Sequence, residues 1–203
     1  MKKIITLLVL VFTAWLSQAQ TATLKAGDAA PDFKLKNVDN KEVSFASFPK
    51  AKGFIVVFTC NTCPYAVAYE QRIIDLDKKF RPQGYPVIAI NPNDPEASKA
   101  DAFNKMQDLA KDKSYPFPYL FDAGQVVTDQ YGAKHTPHIF IVSKTPKGNV
   151  IEYVGAIDND PEGTKAEKTK YAEDVIAALQ SNKKPIITQT KEIGCTVKRK
   201  AKA

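Results

Sequence analysis

Cys60 and Cys63 stand two residues apart at the end of a continuous apolar run, Phe54-Ile55-Val56-Val57-Phe58. Two thiols at that spacing can close a disulfide with each other, and a thiolate can attack a disulfide elsewhere, so the chemistry within reach is thiol–disulfide exchange. Downstream, Ala66, Tyr69, Ile73, Leu76 and Phe80 recur at helical spacing, which puts Cys60 at a strand-to-helix junction facing the unpaired N–H groups of the first turn. Negative charge is favoured there. Cys60 is therefore expected to attack as a thiolate of lowered pKa, and Cys63, one turn inside the helix, to close a redox-active Cys60–Cys63 disulfide. Pro64 is tolerated in a first helical turn. A zinc site would need a second cysteine pair or a histidine cluster, and the one other cysteine is Cys195, so neither metal nor cofactor is expected. A purely structural role gains little, because a four-residue loop contributes little closure entropy.

These thiols need elements to hold them. Five apolar residues in a row, with Ile55, Val56 and Val57 β-branched, fit a central strand buried on both faces of a helix-covered sheet. Ahead of it, the segments around Asp39-Asn40-Lys41 alternate as an antiparallel hairpin. After the helix, which the pattern carries to about Arg81, Val87-Ile88-Ala89-Ile90 reads as a second buried strand, so strand, helix and strand imply a parallel crossover. Asn91 to Pro95 is a turn cluster, and Ala102, Phe103, Met106, Leu109 and Ala110 mark an amphipathic helix ending near Lys113. A short strand is expected at Tyr119-Leu120-Phe121, and a short helix from Val126 to Tyr131, stopped by Gly132. The strand His138 to Val142 follows Thr136-Pro137 and pairs with Val150 to Val154 across a turn, and Ala172, Val175, Ile176 and Leu179 form the last helix.

Lys2 and Lys3 precede an apolar run from Ile4 to Leu16 and then Ser17-Gln18-Ala19, the pattern of an export signal. The domain reading is thus a signal peptide at 1–19, one α/β domain at 24–181 and a basic tail at 182–203, in a protein that is exported, periplasmic or secreted. The apolar run is short for a membrane span, and an integral membrane protein is not expected. The net charge of +7 is local: without Lys2 and Lys3 it is +5, and residues 183–203 carry seven basic residues against Glu192, leaving the body near neutrality. A lysine-rich end on an exported chain argues against nucleic acid as a partner. Three cysteines in a chain of 203 residues are too few for a disulfide scaffold, so their use should be chemical.

Taken together, Gly27-Asp28-Ala29-Ala30-Pro31-Asp32-Phe33, Cys60-Asn61-Thr62-Cys63-Pro64-Tyr65, Ile90-Asn91-Pro92-Asn93-Asp94, Tyr115 to Asp122, Tyr131-Gly132-Ala133, Thr136-Pro137 and Ile193 to Lys198 make the chain, over roughly 26–200, resemble the thioredoxin-like redoxins. Within these it is similar to a peroxiredoxin-like subgroup of the alkyl hydroperoxide reductase and thiol-specific antioxidant superfamily. The resemblance implies a central mixed β-sheet flanked by helices, with an N-terminal β-hairpin. It implies a cis Thr136–Pro137 bond lying against the cysteines, with Pro137 shaping a substrate groove and Thr136 offering backbone groups to an extended partner strand. Two places depart from the subgroup: Thr62 stands where His is frequent between the cysteines, and His135 where Cys is frequent before Thr-Pro. Thr62 removes a cationic stabiliser of the thiolate, which His135 would replace if it approaches Cys60. His138, on a strand, is expected to be structural.

The function expected is reduction or exchange of disulfides in partner proteins: Cys60 attacks, a mixed disulfide forms and Cys63 resolves it. The alternative is a thiol peroxidase, an antioxidant taking peroxide through a sulfenic acid. Against it, the peroxiredoxin pattern Pro-x-x-x-Thr-x-x-Cys is broken at Val56, although Cys63 is followed by Pro64 as in that motif. A third reading is a copper-binding module with Cys60, Cys63 and His135 as ligands. Cys195 is the odd cysteine. Ile193 and Val197 flank it at two-residue spacing, so the tail is expected to fold back with Ile193, Cys195 and Val197 inward, Cys195 serving as a structural anchor or, alternatively, as an auxiliary thiol.

Overall fold

In the computed structural model, residues 22–200 are described, and the segment 1–19, expected to be an export signal, lies outside them. The hairpin pairs β1 (Leu35–Asn37) with β2 (Glu42–Val43), Asn40 turning the chain with a φ of 68°. β3 (Gly53–Phe58) runs into α1 (Pro64–Phe80) and returns parallel as β4 (Val87–Asn91). Then come α2 (Phe103–Asp112), β5 (Tyr119–Phe121), parallel to β4 and antiparallel to β1, and α3 (Val126–Tyr131). The two-residue β6 (His135–Thr136) precedes β7 (His138–Thr145) and β8 (Gly148–Gly155), an antiparallel pair, and α4 (Tyr171–Gln180) follows. The seven-stranded mixed sheet has the order β2-β1-β5-β4-β3-β7-β8. This is a thioredoxin-like α/β fold.

β3 is central because both of its faces are apolar. Ile55 and Val57 meet Tyr69, Ile73 and Phe80 of α1, Met106 of α2 and Val175 and Ile176 of α4, while Phe54, Val56 and Phe58 meet Phe33, Phe45, Phe140 and Tyr131 on the other side. All five side chains are fully buried, each contributing about 1.5–3 kcal/mol of transfer free energy, so this strand fixes where its C-terminal end delivers the cysteine loop.

The second, two-stranded sheet is not among the expected strand pairings, although the inward spacing of Ile193, Cys195 and Val197 pointed to a packed tail. β9 (Cys195–Thr196) in the tail pairs antiparallel with β6, in the register His135 with Thr196 and Thr136 with Cys195. The basic tail is thereby laid on the body. Val197 is buried and its N–H donates to the Lys134 carbonyl at 2.9 Å; Ile193 and Cys195 are half-buried. The Lys198 N–H donates to Asn93 Oδ1 at 2.8 Å, and its carbonyl accepts from the Asp94 N–H and Gln125 Nε2, both at 3.0 Å.

Candidate functional site

The sulfur cluster sits where β3 ends, α1 begins and the loop between β6 and β7 crosses them. The Thr136–Pro137 bond is cis, as the resemblance implies. Cys60, Cys63 and Ala66 form one buried cluster with Cys195 packed against it. The disulfide joins Cys63 to Cys195, with Cα atoms 6.0 Å apart, and Cys60 is a free, buried thiol. The expected Cys60–Cys63 bond is thus not the one present. Sequence proximity favoured the local pair, but β9 brings Cys195 to the residue facing Thr136, within bonding reach of Cys63. Cys195, expected as a structural anchor or an auxiliary thiol, is thus bonded to Cys63.

The helix start also lies differently from the expectation. α1 begins at Pro64 and Cys63 is its N-cap, so Cys63 is at the helix boundary and not a turn inside, while Cys60 lies in the loop upstream. The Cys60 thiol pKa is raised, not lowered. Burial is the main cause and the Asp101 carboxylate adds to it, opposed by the Thr136 hydroxyl and by the backbone N–H groups of Cys63 and Thr62. Cys60 Sγ lies 3.1 Å from Thr136 Oγ1, and Cys63 Sγ lies 3.1 Å from the Thr136 carbonyl oxygen. The Thr136 hydroxyl and the nearby backbone of Thr62 and Cys63 therefore favour the charged sulfur, within an apolar, covered setting. A thiolate formed there is well received, but with the cover in place the neutral thiol prevails.

Asp101, which the sequence reading did not single out, holds the cysteine loop from beneath. Fully buried, it accepts from the Asn61 N–H at 2.7 Å, Asn91 Nδ2 at 3.1 Å, Asn93 Nδ2 at 2.9 Å and Ser98 Oγ at 2.6 Å. Asn61 further donates to the Ala100 carbonyl and accepts from Tyr119 OH, at 2.7 and 2.8 Å. This network clamps the loop between the two cysteines onto the end of β4, and Asn93 hands it on to Lys198 in the tail. The signal available in the sequence was the asparagine pair in Ile90-Asn91-Pro92-Asn93-Asp94, polar residues directly at the end of a buried strand.

The two histidines stand on either side of the cis proline. His135 turns to Glu192 of the tail, Nδ1 to Oε1 3.0 Å, which engages it away from the role of thiolate stabiliser. Among the described residues no group of three His, Cys, Asp or Glu side chains could hold a metal ion, so the copper reading lacks its ligand set. His138 is 1% exposed, packs at a tilt against Phe140, and burial pushes its pKa down to about 4. Its Nδ1 has no hydrogen-bond partner among the described residues.

Comparison with known proteins places this chain among oxidoreductases. The chain is 24% identical to the thiol-disulfide oxidoreductase ResA of Halalkalibacterium halodurans over 126 residues, covering 62% of this chain and 67% of the relative. It is 30% identical to the chloroplastic peroxiredoxin Q of Populus jackii over 120 residues, 55% of this chain and 48% of that protein, so it spans about half of that relative's length. Among solved structures, a hypothetical protein from Sinorhizobium meliloti superposes with a TM-score of 0.81 at 29% identity, covering 90% of this chain and 99% of the other. The AhpC/TSA family model matches residues 26–153, which contain Cys60, Cys63, Thr136 and Pro137, and the chain belongs to the AhpC/TSA family.

Proposed function

We propose that the protein is an exported thiol–disulfide oxidoreductase that reduces or exchanges disulfides in partner proteins through Cys60 and Cys63. The oxidoreductase class rests on its family and on relatives named thiol-disulfide oxidoreductases and peroxiredoxins. The observation that carries the finer reading is the contact of Cys60 Sγ with the Thr136 hydroxyl, beside a second cysteine at a helix N-cap. Once a partner replaces the cover, Cys60 attacks the partner's disulfide as a thiolate held by the Thr136 hydroxyl and the N–H groups of Thr62 and Cys63. The edge of β6 beside Pro137 takes the partner's extended strand, and Cys63 displaces it from the mixed disulfide. The leading segment 1–19 supports export, and no described helix is long and apolar enough to cross a membrane. Insulin reduction by the mature protein tests this reading: Cys60→Ser abolishes turnover, and Cys63→Ser accumulates mixed disulfides. Trapping by Cys60→Ser with a fully active Cys63→Ser would reverse the two roles.

One observation favours a second reading. A cysteine at a helix N-cap, followed by Pro64 and bonded to a distant cysteine, is what a peroxide-oxidised thiol and its resolving thiol leave behind. On that reading Cys63 loses its electron pair to the peroxide oxygen, water leaves, and Cys195 displaces the sulfenic oxygen. Hydrogen peroxide consumption that survives Cys60→Ser and is lost in Cys63→Ser selects it.

A further inference from the structure

The tail places Cys195 where the proposed groove places a partner. Its strand pairs with the two residues before Pro137, and Cys195 faces Thr136 in register. The fit is close: a Cβ at Gly194 would sit inside contact distance of the Thr136 carbonyl group and 3.0 Å from the Pro137 nitrogen, so the residue preceding Cys195 must be glycine for the strand to lie this deep. Upstream, Gln189 bridges to Val154, and Thr190 seats its hydroxyl against Tyr153 and the Ala156 N–H, at 2.6 and 3.0 Å. Downstream, Val197 and Lys198 are pinned as described above. Cys195 is thus held on both sides at the sulfur cluster. It is also the least buried of the three: Cys195 is half-buried, whereas Cys60 and Cys63 are 7% and 6% exposed.

We propose that Cys195 is a third catalytic residue, a relay thiol that takes the disulfide from the buried Cys60–Cys63 pair and presents it at the surface to a low-molecular-weight or protein dithiol reductant. The proposal rests on the thiol–disulfide reading above. After a partner has been reduced, the protein holds Cys60–Cys63 and a free Cys195. The Cys195 thiolate attacks Cys63 Sγ; the Cys63–Cys195 bond forms as the Cys60–Cys63 bond breaks. The electron pair leaves on Cys60 Sγ, where the Thr136 hydroxyl and the N–H groups of Thr62 and Cys63 receive it. One proton leaves Cys195 and one returns to Cys60, where burial favours the neutral thiol. The number of disulfides is unchanged, so the step needs no outside oxidant. The state in this structure, a Cys63–Cys195 disulfide beside a neutral Cys60, is the product of that step. An external thiol then attacks at the half-buried Cys195 and a second completes the reduction.

The test uses the mature protein, oxidised with one equivalent of oxidised glutathione, acid-quenched, alkylated and mapped by mass spectrometry, with the rate of re-reduction by glutathione followed alongside. Wild type is expected to hold both the 60–63 and the 63–195 disulfide, Cys60→Ser only 63–195, and Cys195→Ser only 60–63. Re-reduction should slow about tenfold in Cys195→Ser and in Gly194→Val, which keeps the thiol but lifts its strand, since exchange follows access and proximity. Oxidised wild type holding only 60–63 with Cys195 alkylated overturns the relay, as does re-reduction of both variants at the wild-type rate. Failure of Cys195→Ser to form a 60–63 disulfide at all overturns the underlying two-cysteine reading instead, so the two failures are told apart.

Discussion

Cys63 has two sulfur neighbours supplied by very different regions. Cys60 comes from a loop three residues upstream, clamped from beneath by Asp101 and its asparagines; Cys195 comes from 132 residues away on a two-residue strand laid over the cis-proline loop. The first region is a buried polar network in which every Asp101 lone pair is engaged, and such a network holds one geometry. The second is tied by the Cys63–Cys195 bond when oxidised and otherwise by hydrogen bonds, one buried valine and exposed ion pairs, so that it can open once that bond is reduced. Rigid donors under Cys60 and a detachable strand over Cys63 suit a site that must keep its chemistry fixed while its cover is exchanged for a partner.

The largest break in this comparison comes from the rigid side. Removing the Cys60 sulfur should lower disulfide-reducing turnover about a thousandfold or more, because the proposed attack on a partner disulfide comes from Cys60, whereas Cys195→Ser should leave single-turnover reduction of a partner intact. Stopped-flow mixing of reduced protein with a disulfide peptide separates the two; equal single-turnover losses would mean that both cysteines act in the first attack. Asp101→Ala comes next. It removes the acceptor shared by four donors, two of them on the buried Asn91 and Asn93, and should cost roughly 3–5 kcal/mol in denaturant unfolding. Asp101→Asn, by removing the charge that raises the Cys60 pKa, should lower that pKa, read from the pH dependence of Cys60 alkylation in a Cys63→Ser/Cys195→Ser background.

The two sides also differ in how far the sequence revealed them. The apolar run before Cys60 fixed a doubly buried strand, and the helical periodicity after it fixed α1, because each is a local pattern with many residues voting. A two-residue strand has no period. The pairing of Cys195 with Thr136 depends on a contact across 59 residues, and the choice of Cys63 over Cys60 as its bonded partner on a register difference that spacing cannot convey. The flanking Ile193 and Val197 showed that the tail packs, not where. Asp101 was hidden for the opposite reason: an acidic residue in a polar stretch reads as solvated surface until three separate segments are seen to converge on it.

His138 lies at the seam between the two regions, one residue beyond Pro137, and gives the seam a pH dependence. Its imidazole is held near a pKa of about 4 by burial, with Glu192 of the tail opposing and His135 and Lys134 reinforcing. In the unfolded chain it protonates near 6.5, so stability is full above that value and falls as pH drops toward 4, by up to about 3 kcal/mol. His138→Phe, matching its Phe140 neighbour, should flatten the unfolding free energy between pH 6.5 and 4. An unchanged slope in the variant would assign the acid sensitivity to other groups.

The smallest effects should come from the charges at the end of the tail, and their smallness sharpens the account of what holds it. Arg199 pairs with Asp129 and Lys200 with Glu96, but all four side chains are largely exposed, and pairs of that kind contribute less than about 1 kcal/mol and are screened by salt. Val197 instead is 4% exposed, and trimming it to alanine removes about 1.5 kcal/mol of transfer free energy. In reduced protein the alkylation rate of Cys195 reports the open fraction of the tail. Val197→Ala should therefore raise that rate about tenfold, the factor that 1.4 kcal/mol represents. Arg199→Ala with Lys200→Ala should raise it less, and by an amount that vanishes in high salt. If the charge variant opens the tail more than Val197→Ala, then electrostatics and not packing holds Cys195 over the cluster, and the cover of Cys60 would loosen with ionic strength.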